Sequence, residues 1–232
     1  MDKFMLIFNK HRSLNGGAMT QPTDPTNLST RQFGRRRRGE QKEQLKELIL
    51  KTASELFIEQ GYSAFSMRKL AEKLGYSPAT LYIYYHDKDH LLFSVVDDAF
   101  TLFRMELAQA ASSTNNPWER LNRIGEAYIQ FGLTHSIYYQ LMFMWRIDYL
   151  IQAKQGEETP RLEAFQVLFD SVKYAQNNDA IKAGDPYVYS DMLWAALHGV
   201  VALSIQMPMF TPERSAKLVA ETKEMLYMAL RP

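Results

Sequence analysis

The sequence predicts an all-α protein, with a three-helix helix-turn-helix domain near the N-terminus and a larger helical domain after it. Two observations predict this fold. Apolar residues recur at helical spacing from Glu40 onward, and serine or proline marks the expected helix starts while glycine marks several of the ends. A chain of 232 residues with 46% hydrophobic content can bury a core in one large domain or two smaller ones.

Residues 1–39 are predicted to form a flexible basic arm. The stretch "GGAMTQPTDPTNLST" is rich in glycine, proline, threonine and asparagine and has no apolar period. The end of the arm carries five arginines: Arg31, Arg35, Arg36, Arg37 and Arg38. Such a run is either a solvated tail or an arm attracted to a polyanion, and both interpretations stay open.

Residues 40–90 are predicted to contain three helices. The first has an apolar stripe and ends at Gly61; the stripe comprises Leu45, Leu48, Ile49, Thr52, Ala53, Leu56 and Phe57. Ser66 caps the second helix, which ends at Gly75. Ser77 caps the third, and Pro78 takes its first position, where a missing N–H costs nothing. Two short helices joined by a three-residue turn form a helix-turn-helix, whose second helix enters the DNA major groove.

Three tyrosines, Tyr82, Tyr84 and Tyr85, lie within one four-residue stretch shortly after Pro78. A helix cannot direct all three side chains towards one core. Leu81 and Tyr85 are four residues apart and are predicted to lie on the buried side. The outward face is then formed by Ala79, Thr80, Ile83 and Tyr84, with Tyr82 at its border. An exposed tyrosine offers a hydroxyl and a flat ring to a polar partner such as a phosphate.

The segment "MRKLAEKLGYSPATLYIYYHDKDHLL" resembles the DNA-binding part of the TetR family of bacterial transcriptional regulators. The resemblance covers residues 43–95. It implies contacts to the DNA backbone or bases from Ser66, Arg68, Thr80, Tyr82, Tyr84 and Lys88. Ala79 is a further candidate, at a position where the family varies. Hydroxyls and lysine suit phosphates and arginine suits guanine, whereas Ala79 offers only a methyl contact. Residues 40–90 carry more acidic than basic side chains, so non-specific attraction to DNA is assigned to the arm, including Arg36 and Arg37.

Residues 91–232 are predicted to form about six further helices, separated at "SSTNNP", "QGEETP", "AGDP" and "MPMFTP". In the family this region binds an inducer and forms a dimer, and "LWAALHG" resembles a Trp, His, Gly motif of one subgroup. The candidate ligand-binding residues are Tyr139, Met142, Trp145, Phe165, Trp194 and His198. The alternative is that these side chains only pack a core, with His198 bonded to a neighbouring carbonyl and Gly199 allowing close helix packing.

The last two long helices are predicted to carry the two-fold axis of a homodimer. One face of the final helix is apolar and comprises Leu218, Val219, Thr222, Leu226 and Ala229. The apolar stretch 193–210 is interrupted by His198, Gln206 and Pro208, so a buried helix is expected there and not a membrane span.

Several functional classes are disfavoured by the sequence. The chain has no cysteine, which excludes disulfides and thiolate chemistry and favours a reducing cytoplasm. The apolar run Phe4 to Phe8 is too short for a signal peptide. His86 and His90 lack a third ligand for a metal, and no catalytic or cofactor-binding motif appears, so neither an enzyme nor a cofactor is expected.

The sequence therefore predicts a cytoplasmic, homodimeric transcriptional repressor that binds double-stranded DNA. Its operator is expected to be near-palindromic, because a two-fold dimer presents two identical recognition helices. A small apolar or aromatic ligand is expected to release it. One alternative is a helical ligand-binding or interaction module that no longer recognises DNA. A second is a transcriptional regulator that does not respond to small molecules.

Overall fold

A computed structural model describes the backbone of residues 25–144 and 160–232 and the side chains of residues 39–144 and 160–232. Within these ranges the chain forms nine helices: α1 (Pro25–Ala64), α2 (Met67–Leu74), α3 (Pro78–Tyr82), α4 (Lys88–Ser112), α5 (Pro117–Thr134), α6 (Ser136–Phe143), α7 (Pro160–Asn177), α8 (Pro186–Gln206) and α9 (Pro212–Leu230). Every regular element in these ranges is helical, which confirms the predicted fold class.

The chain divides into two compact units, Met1–Gln44 and Leu45–Pro232. The helix-turn-helix helices α2 and α3 and the later helices α4 to α9 all belong to the second unit. The boundary between residues 90 and 91, proposed from the sequence as a division between domains, therefore stays a prediction.

Helix starts follow the local signals in the sequence. Ser66 and Ser77 are the N-caps of α2 and α3, and Pro78 opens α3. Three later helices begin at a proline behind a capping side chain, supplied by Asn116, Asp185 and Thr211. A proline at the first helical position loses no hydrogen bond, and the capping oxygen accepts from a backbone N–H that the helix cannot satisfy. The six helices expected after Asp89 are present in the described residues.

Two glycines interrupt the helices where the sequence predicts it. Gly61 has φ 72° and ψ 165° inside α1, and Gly75 ends α2 with φ 73°. These are left-handed or extended conformations at positive φ that side chains with a Cβ rarely adopt. The chain can therefore turn from α1 into α2, and from α2 into α3, within a few residues.

Two boundaries differ from the sequence analysis. The first helix begins at Pro25 and not near Glu40, so residues 25–39 of the predicted flexible arm are helical. The third helix ends at Tyr82, and the chain makes a turn before Lys88 starts α4. Tyr84 and Tyr85 therefore lie in this turn, where both backbone N–H groups donate to the Leu81 carbonyl. The arginine-rich stretch has good helix formers, which explains how the helical pattern extends through it.

The core of the second unit is built around α4, which packs against α5, α6 and α7. The Phe103 ring lies 5.3 Å from the ring of Tyr128, 4.9 Å from that of Phe131 and 5.9 Å from that of Phe143. Helix α8 packs against α5, α7 and α9. The side chains that α5, α6 and α8 direct inward therefore meet in one apolar environment.

The structure corrects two expectations about the last helices. The α8 helix was expected to be buried, yet only 28% of its most apolar 18-residue window is buried; by length and composition alone this helix could cross a membrane, which is weak support for a span. On α9, Thr222 and Leu226 are each 8% exposed and so face the chain's own core. The large apolar or aromatic side chains that α9 exposes are instead Met225, Tyr227 and Met228.

Candidate nucleic-acid interface and interior polar network

The two short helices of the helix-turn-helix are fixed by serine hydroxyls. Ser66 Oγ accepts from the Lys69 N–H at 3.2 Å. Ser77 Oγ accepts from the Thr80 N–H at 3.2 Å and also pairs with Thr80 Oγ1 at 2.9 Å. The Thr80 hydroxyl is therefore held beside the start of α3 on a partly exposed side chain.

The three tyrosines after Pro78 have three different environments. Tyr85 is buried at 2% exposure, together with the fully buried Leu81. Tyr82 is 52% exposed and Ile83 is 75% exposed. Tyr84 is only partly buried, because it packs against the core from the turn after α3. One tyrosine of the three, Tyr82, is thus more than half exposed, where the sequence analysis expected two to face outward.

Lys88 is held at the start of α4 by contacts with Tyr62, near the end of α1. Its Nζ lies 4.0 Å from the centroid of the Tyr62 ring and donates to the Tyr62 carbonyl at 3.4 Å. The Tyr62 hydroxyl in turn donates to the carboxylate of Asp89. A cation over an aromatic ring keeps its charge, so the ammonium group stays available to a phosphate while its position is restricted.

Acidic groups lie next to Lys88. Asp87 is the N-cap of α4, and its Oδ1 accepts from the His90 N–H at 2.8 Å. This backbone bond, helped by the His86 side chain, holds the pKa of Asp87 below its usual value. The carboxylate is therefore ionised at neutral pH, and a phosphate approaching Lys88 meets a locally balanced charge.

The remaining predicted DNA contacts are distributed as follows. Arg68 on α2 and Ala79 on α3 are exposed, and Ser66 is partly exposed. The side chains of Arg36 and Arg37 lie outside the described residues. Within the part of the chain that the structure describes, no group of three or more histidine or carboxylate side chains could hold a metal ion.

A polar network lies inside the second unit among apolar side chains. Trp194 Nε1 donates to the Tyr128 hydroxyl at 3.1 Å. The hydroxyls of Tyr128 and Tyr139 are 2.8 Å apart, and the Tyr139 hydroxyl is 2.7 Å from Nδ1 of His198. This network, Trp194–Tyr128–Tyr139–His198, joins α8 to α5 and α6. His198 is bonded to a hydroxyl and not to a neighbouring carbonyl as the core alternative supposed.

Aromatic rings surround this network. The Phe143 ring lies 4.9 Å from the Tyr139 ring, 5.7 Å from the His198 ring and 6.2 Å from the Trp194 ring. Phe165 contacts Trp194 edge-on at 6.3 Å. Aromatic pairs at these separations are favourable, and their rings restrict one another. The structure thus brings four predicted ligand-binding residues together: Tyr139, Phe165, Trp194 and His198.

Two members of this site were missed by sequence reasoning, and two predicted residues have no described contact with the network. Tyr128 belongs to the buried stripe of α5, where a tyrosine is the one residue with a polar end, and that is the signal that could have found it. Phe143 lies four positions after Tyr139, in a stretch of the sequence rich in aromatic residues and methionine. Met142 is fully buried on α6, and Trp145 lies outside the described residues.

Burial keeps the ionisable members of the network neutral. It raises the pKa values of Tyr128 and Tyr139 far above those of an exposed tyrosine, and it lowers the pKa of His198. Each shift disfavours the charged form, because an apolar environment solvates charge poorly. Trp194 is nevertheless 39% exposed, so the network extends from the protein surface into the core.

Close packing of α5 on α8 sets the position of the network. A Cβ added at Gly132 would overlap the Val201 side chain and would lie 3.2 Å from Tyr139 Cδ2. A larger residue would separate the helices that carry Tyr128 and His198. By contrast, a Cβ added at Gly199 would meet nothing within 4 Å among the described residues, so close packing against them does not explain that glycine.

A capped helix-turn-helix with an exposed tyrosine, followed by a larger helical region with its own polar site, defines a DNA-binding transcriptional regulator. Two family sequence models match the chain. One, "Bacterial regulatory proteins, tetR family", matches residues 49–95, and the other, "Tetracyclin repressor-like, C-terminal domain", matches residues 121–226. The chain belongs to the TetR family of transcriptional regulators.

Curated relatives match mainly over one part of the chain. The transcriptional repressor KstR of Mycolicibacterium smegmatis is 32% identical over 95 residues, covering 41% of this chain and 45% of the relative. The transcriptional activator FasR of the same species is 30% identical over 95 residues, covering 41% and 43%. The chain thus spans less than half the length of these relatives. A TetR family regulator from Marinobacter aquaeolei VT8 shares the fold, with a TM-score of 0.63, 20% identity and coverage of 82% and 98%.

Proposed function

We propose that this regulator is a cytoplasmic homodimeric repressor that binds a near-palindromic DNA operator and is released by a small apolar or aromatic ligand. The observation that carries the DNA contact is the exposed Tyr82, which stands at the end of a serine-capped helix whose other side is anchored by buried Leu81 and Tyr85. Rigid anchoring fixes where the hydroxyl and ring are presented. The relatives include one activator and one repressor by name, so the direction of control has to be measured.

The proposed DNA surface combines positioning and reading groups. Thr80, Tyr82, Tyr84 and Lys88 supply hydroxyl and ammonium groups for phosphates, with Ser66 beside them. Arg68 is exposed on α2 and supplies a planar guanidinium that can bind a guanine edge through two hydrogen bonds. Phosphate contacts hold the protein on any sequence, whereas base contacts discriminate between sequences.

The test is a mobility-shift titration with DNA fragments from upstream of the gene and with a scrambled fragment. Tyr82→Phe and Lys88→Ala should weaken binding to both fragments by a similar factor, about two- to tenfold each. Arg68→Ala should reduce the difference in affinity between the upstream fragment and the scrambled fragment. Tyr187→Phe is a matched control, because Tyr187 is 59% exposed on α8. If both the Tyr82→Phe and the Lys88→Ala variants bind DNA as tightly as the native protein, this surface is not the DNA-binding surface.

A second copy of the chain is proposed to cover the outward side of α8 and α9. Apolar side chains exposed there include Val188 (49%), Met192 (43%), Met225 (57%) and Met228 (49%). Methionine-rich apolar faces of this kind are adaptable contact surfaces, and homodimers are typical of the family. An isologous contact places each side chain near its own copy or a close neighbour.

Sedimentation velocity tests this dimer. Met225→Glu combined with Met228→Glu should shift the protein to monomers, because like charges would be buried across the interface. Leu162→Glu is the control, since Leu162 is 62% exposed on α7. If the double variant remains a dimer, the interface lies on a different surface of the protein.

The arginine arm is proposed to add non-specific attraction to DNA. Each arginine that neutralises a phosphate contributes roughly −0.9 to the slope of log affinity against log salt. Removal of residues 1–39 should therefore flatten that slope. An unchanged slope would identify the arm as a solvated segment only.

A further inference from the structure

The Trp194–Tyr128–Tyr139–His198 network begins and ends on the same helix. Trp194 and His198 are one turn apart on α8, and the two tyrosines join them through α5 and α6. Its members differ in what they can donate and accept. An indole N–H only donates, a phenol donates once and accepts, and a neutral imidazole donates from one nitrogen and accepts at the other.

The direction of the hydrogen bonds is set by Trp194, because its indole N–H can donate but cannot accept. Trp194 donates, so the Tyr128 oxygen accepts from it. The remaining proton of Tyr128 has one acceptor in its described contacts, the Tyr139 oxygen at 2.8 Å. The proton of Tyr139 then points at Nδ1 of His198, 2.7 Å away.

The opposite direction leaves a buried proton without an acceptor. If Nδ1 of His198 donated to Tyr139, then Tyr139 would donate to Tyr128, whose own proton would face only the Trp194 N–H. Tyr128 is 5% exposed, so water does not readily replace the missing partner. An unsatisfied buried donor of this kind disfavours the arrangement by roughly five- to 150-fold in population.

The network therefore fixes the tautomer of His198, with Nδ1 accepting and the proton on Nε2. Within residues 39–144 and 160–232, the only hydrogen bond of the His198 ring is the one at Nδ1. Nε2 is also absent from the buried polar atoms that lack a partner in the described residues. This N–H is thus accessible and has its donor capacity unused.

We propose that Nε2–H of His198 is the polar contact that selects the ligand of this regulator, and that the ligand has an aromatic or apolar body with a hydrogen-bond acceptor. A carbonyl, ether or carboxylate oxygen fits this donor. A group that can only donate, such as a protonated amine, meets another N–H and is rejected. The Phe143 ring lies 5.7 Å from the His198 ring, and Trp194, one turn away on α8, contacts the rings of Phe143 and Phe165. These rings provide contact for the body. This inference rests on the proposed ligand response.

The tautomer can be measured without any ligand. Full-length protein labelled with ¹⁵N-histidine, examined by long-range ¹H–¹⁵N correlation at pH 7.5, should show His198 protonated at Nε2 and bare at Nδ1. His198→Gln assigns the signal. Tyr139→Phe keeps the ring and removes the hydroxyl, so the signal should become a mixture of tautomers. A native His198 protonated at Nδ1 would overturn the proposal.

The ligand class is tested with three probes of nearly identical shape. Benzophenone has an accepting bridge, diphenylmethane a bridge without polar atoms, and diphenylamine a donating bridge. Equilibrium dialysis should give benzophenone about two- to tenfold tighter binding than diphenylmethane, with diphenylamine weakest. His198→Phe should remove the preference and retain binding of the rings. Equal binding of all three, a preference for diphenylamine, or no binding of any would overturn the proposal.

The same probes separate this inference from the proposed ligand response. Benzophenone bound with the expected preference but without release of DNA would support the His198 donor and reject the release mechanism. Release of DNA by diphenylamine and not by benzophenone would support the release mechanism and reject the donor assignment. Mobility-shift titrations of the native dimer with each probe distinguish these outcomes.

Discussion

The helix-turn-helix and the helical region behind it use tyrosine in opposite ways. Tyr82 leaves 52% of its surface in solvent, and the structure gives its hydroxyl no hydrogen bond within the described residues. Tyr128 and Tyr139 are 5% and 0% exposed, and their hydroxyls bond to each other. An exposed hydroxyl can bind an external partner, whereas a buried one fixes the arrangement of its neighbours.

The two regions also differ in how far their hydrogen bonds reach along the sequence. The caps of α2 and α3 join residues three positions apart. The bonds of the interior network join residues 11, 59 and 66 positions apart. Local bonds are set by neighbouring residues, but the network requires α5, α6 and α8 to pack correctly first. Substitutions in the two regions should therefore have separable effects.

The largest effect is expected from Tyr139→Phe. This change leaves the Tyr128 proton without its acceptor in a buried site, so the free energy of unfolding should fall by about 1–3 kcal/mol. Tyr82→Phe should change it by less than about 0.5 kcal/mol, because the Tyr82 hydroxyl is exposed, while weakening DNA binding. Urea titrations followed by circular dichroism measure both. Equal stability losses would contradict the contrast between the regions.

Gly132→Ala should lower the free energy of unfolding by about 1–2 kcal/mol. The added methyl group overlaps Val201, and this overpacking outweighs the better helix propensity of alanine. Thermal unfolding gives the measurement.

Gly199→Ala is the matched control on the facing helix. A Cβ there meets no atom of residues 25–144 or 160–232 within 4 Å, so helix propensity should raise the free energy of unfolding by about 0.5–1 kcal/mol. A large loss at Gly199 would instead place that residue at the contact between two copies, which sedimentation velocity would detect.

Ser77→Ala should cost about 1 kcal/mol, the usual value of a lost N-cap. The Thr80 N–H loses its acceptor and α3 loses its fixed start, so DNA affinity should also fall. Ser94→Ala serves as control, because Ser94 lies within α4 and its hydroxyl bonds only to the His90 carbonyl one turn earlier. Amide hydrogen exchange in residues 78–82 would report the local change. Unchanged exchange would show that packing alone holds α3.

The smallest effect is a pH dependence from His198. Burial lowers the pKa of this histidine in the folded protein, so below about pH 6.5 the unfolded chain takes up a proton that the folded protein does not. Stability should therefore fall as pH drops through this window, by less than about 1.4 kcal/mol per pH unit. His198→Gln should flatten the dependence. Urea unfolding midpoints of both proteins at pH 7.5 and 5.5 test this prediction. The same change of midpoint with pH in both proteins would show that His198 is not the source of the pH dependence.

Local sequence signals predicted the starts of α2, α3 and the later helices that begin at a proline, but not the start of α1 at Pro25. Ser66, Ser77 and Pro78 act through hydrogen bonds and backbone angles of adjacent residues, so position in the chain is enough to assign them. The same holds for Gly75, which ends α2 at positive φ. The sequence also predicted that Leu81 and Tyr85 are buried and that Tyr82 is not, although Tyr85 lies in the turn after α3 and not on the helix from which its burial was predicted.

The signals failed where an element's end or face depends on distant residues. Helix α3 stops at Tyr82, so Tyr84 turns partly inward and does not share the exposed face of α3. On α9 the apolar period marked a stripe, but only packing decided that Thr222 and Leu226 face the core while Met225 faces outward. The sequence of an apolar stripe does not show whether the stripe packs inside its own chain or against another molecule.

By itself, then, the sequence determined an all-α chain with a helix-turn-helix, because caps, turns and the helical repeat act between residues a few positions apart. Only the tertiary structure decided that Trp194 and His198 are joined through Tyr128 and Tyr139. Those hydrogen bonds exist only when three helices pack within contact distance, which Gly132 permits. The direction of donation, and with it the tautomer that we propose for His198, follows from that packing and from the chemistry of the four side chains.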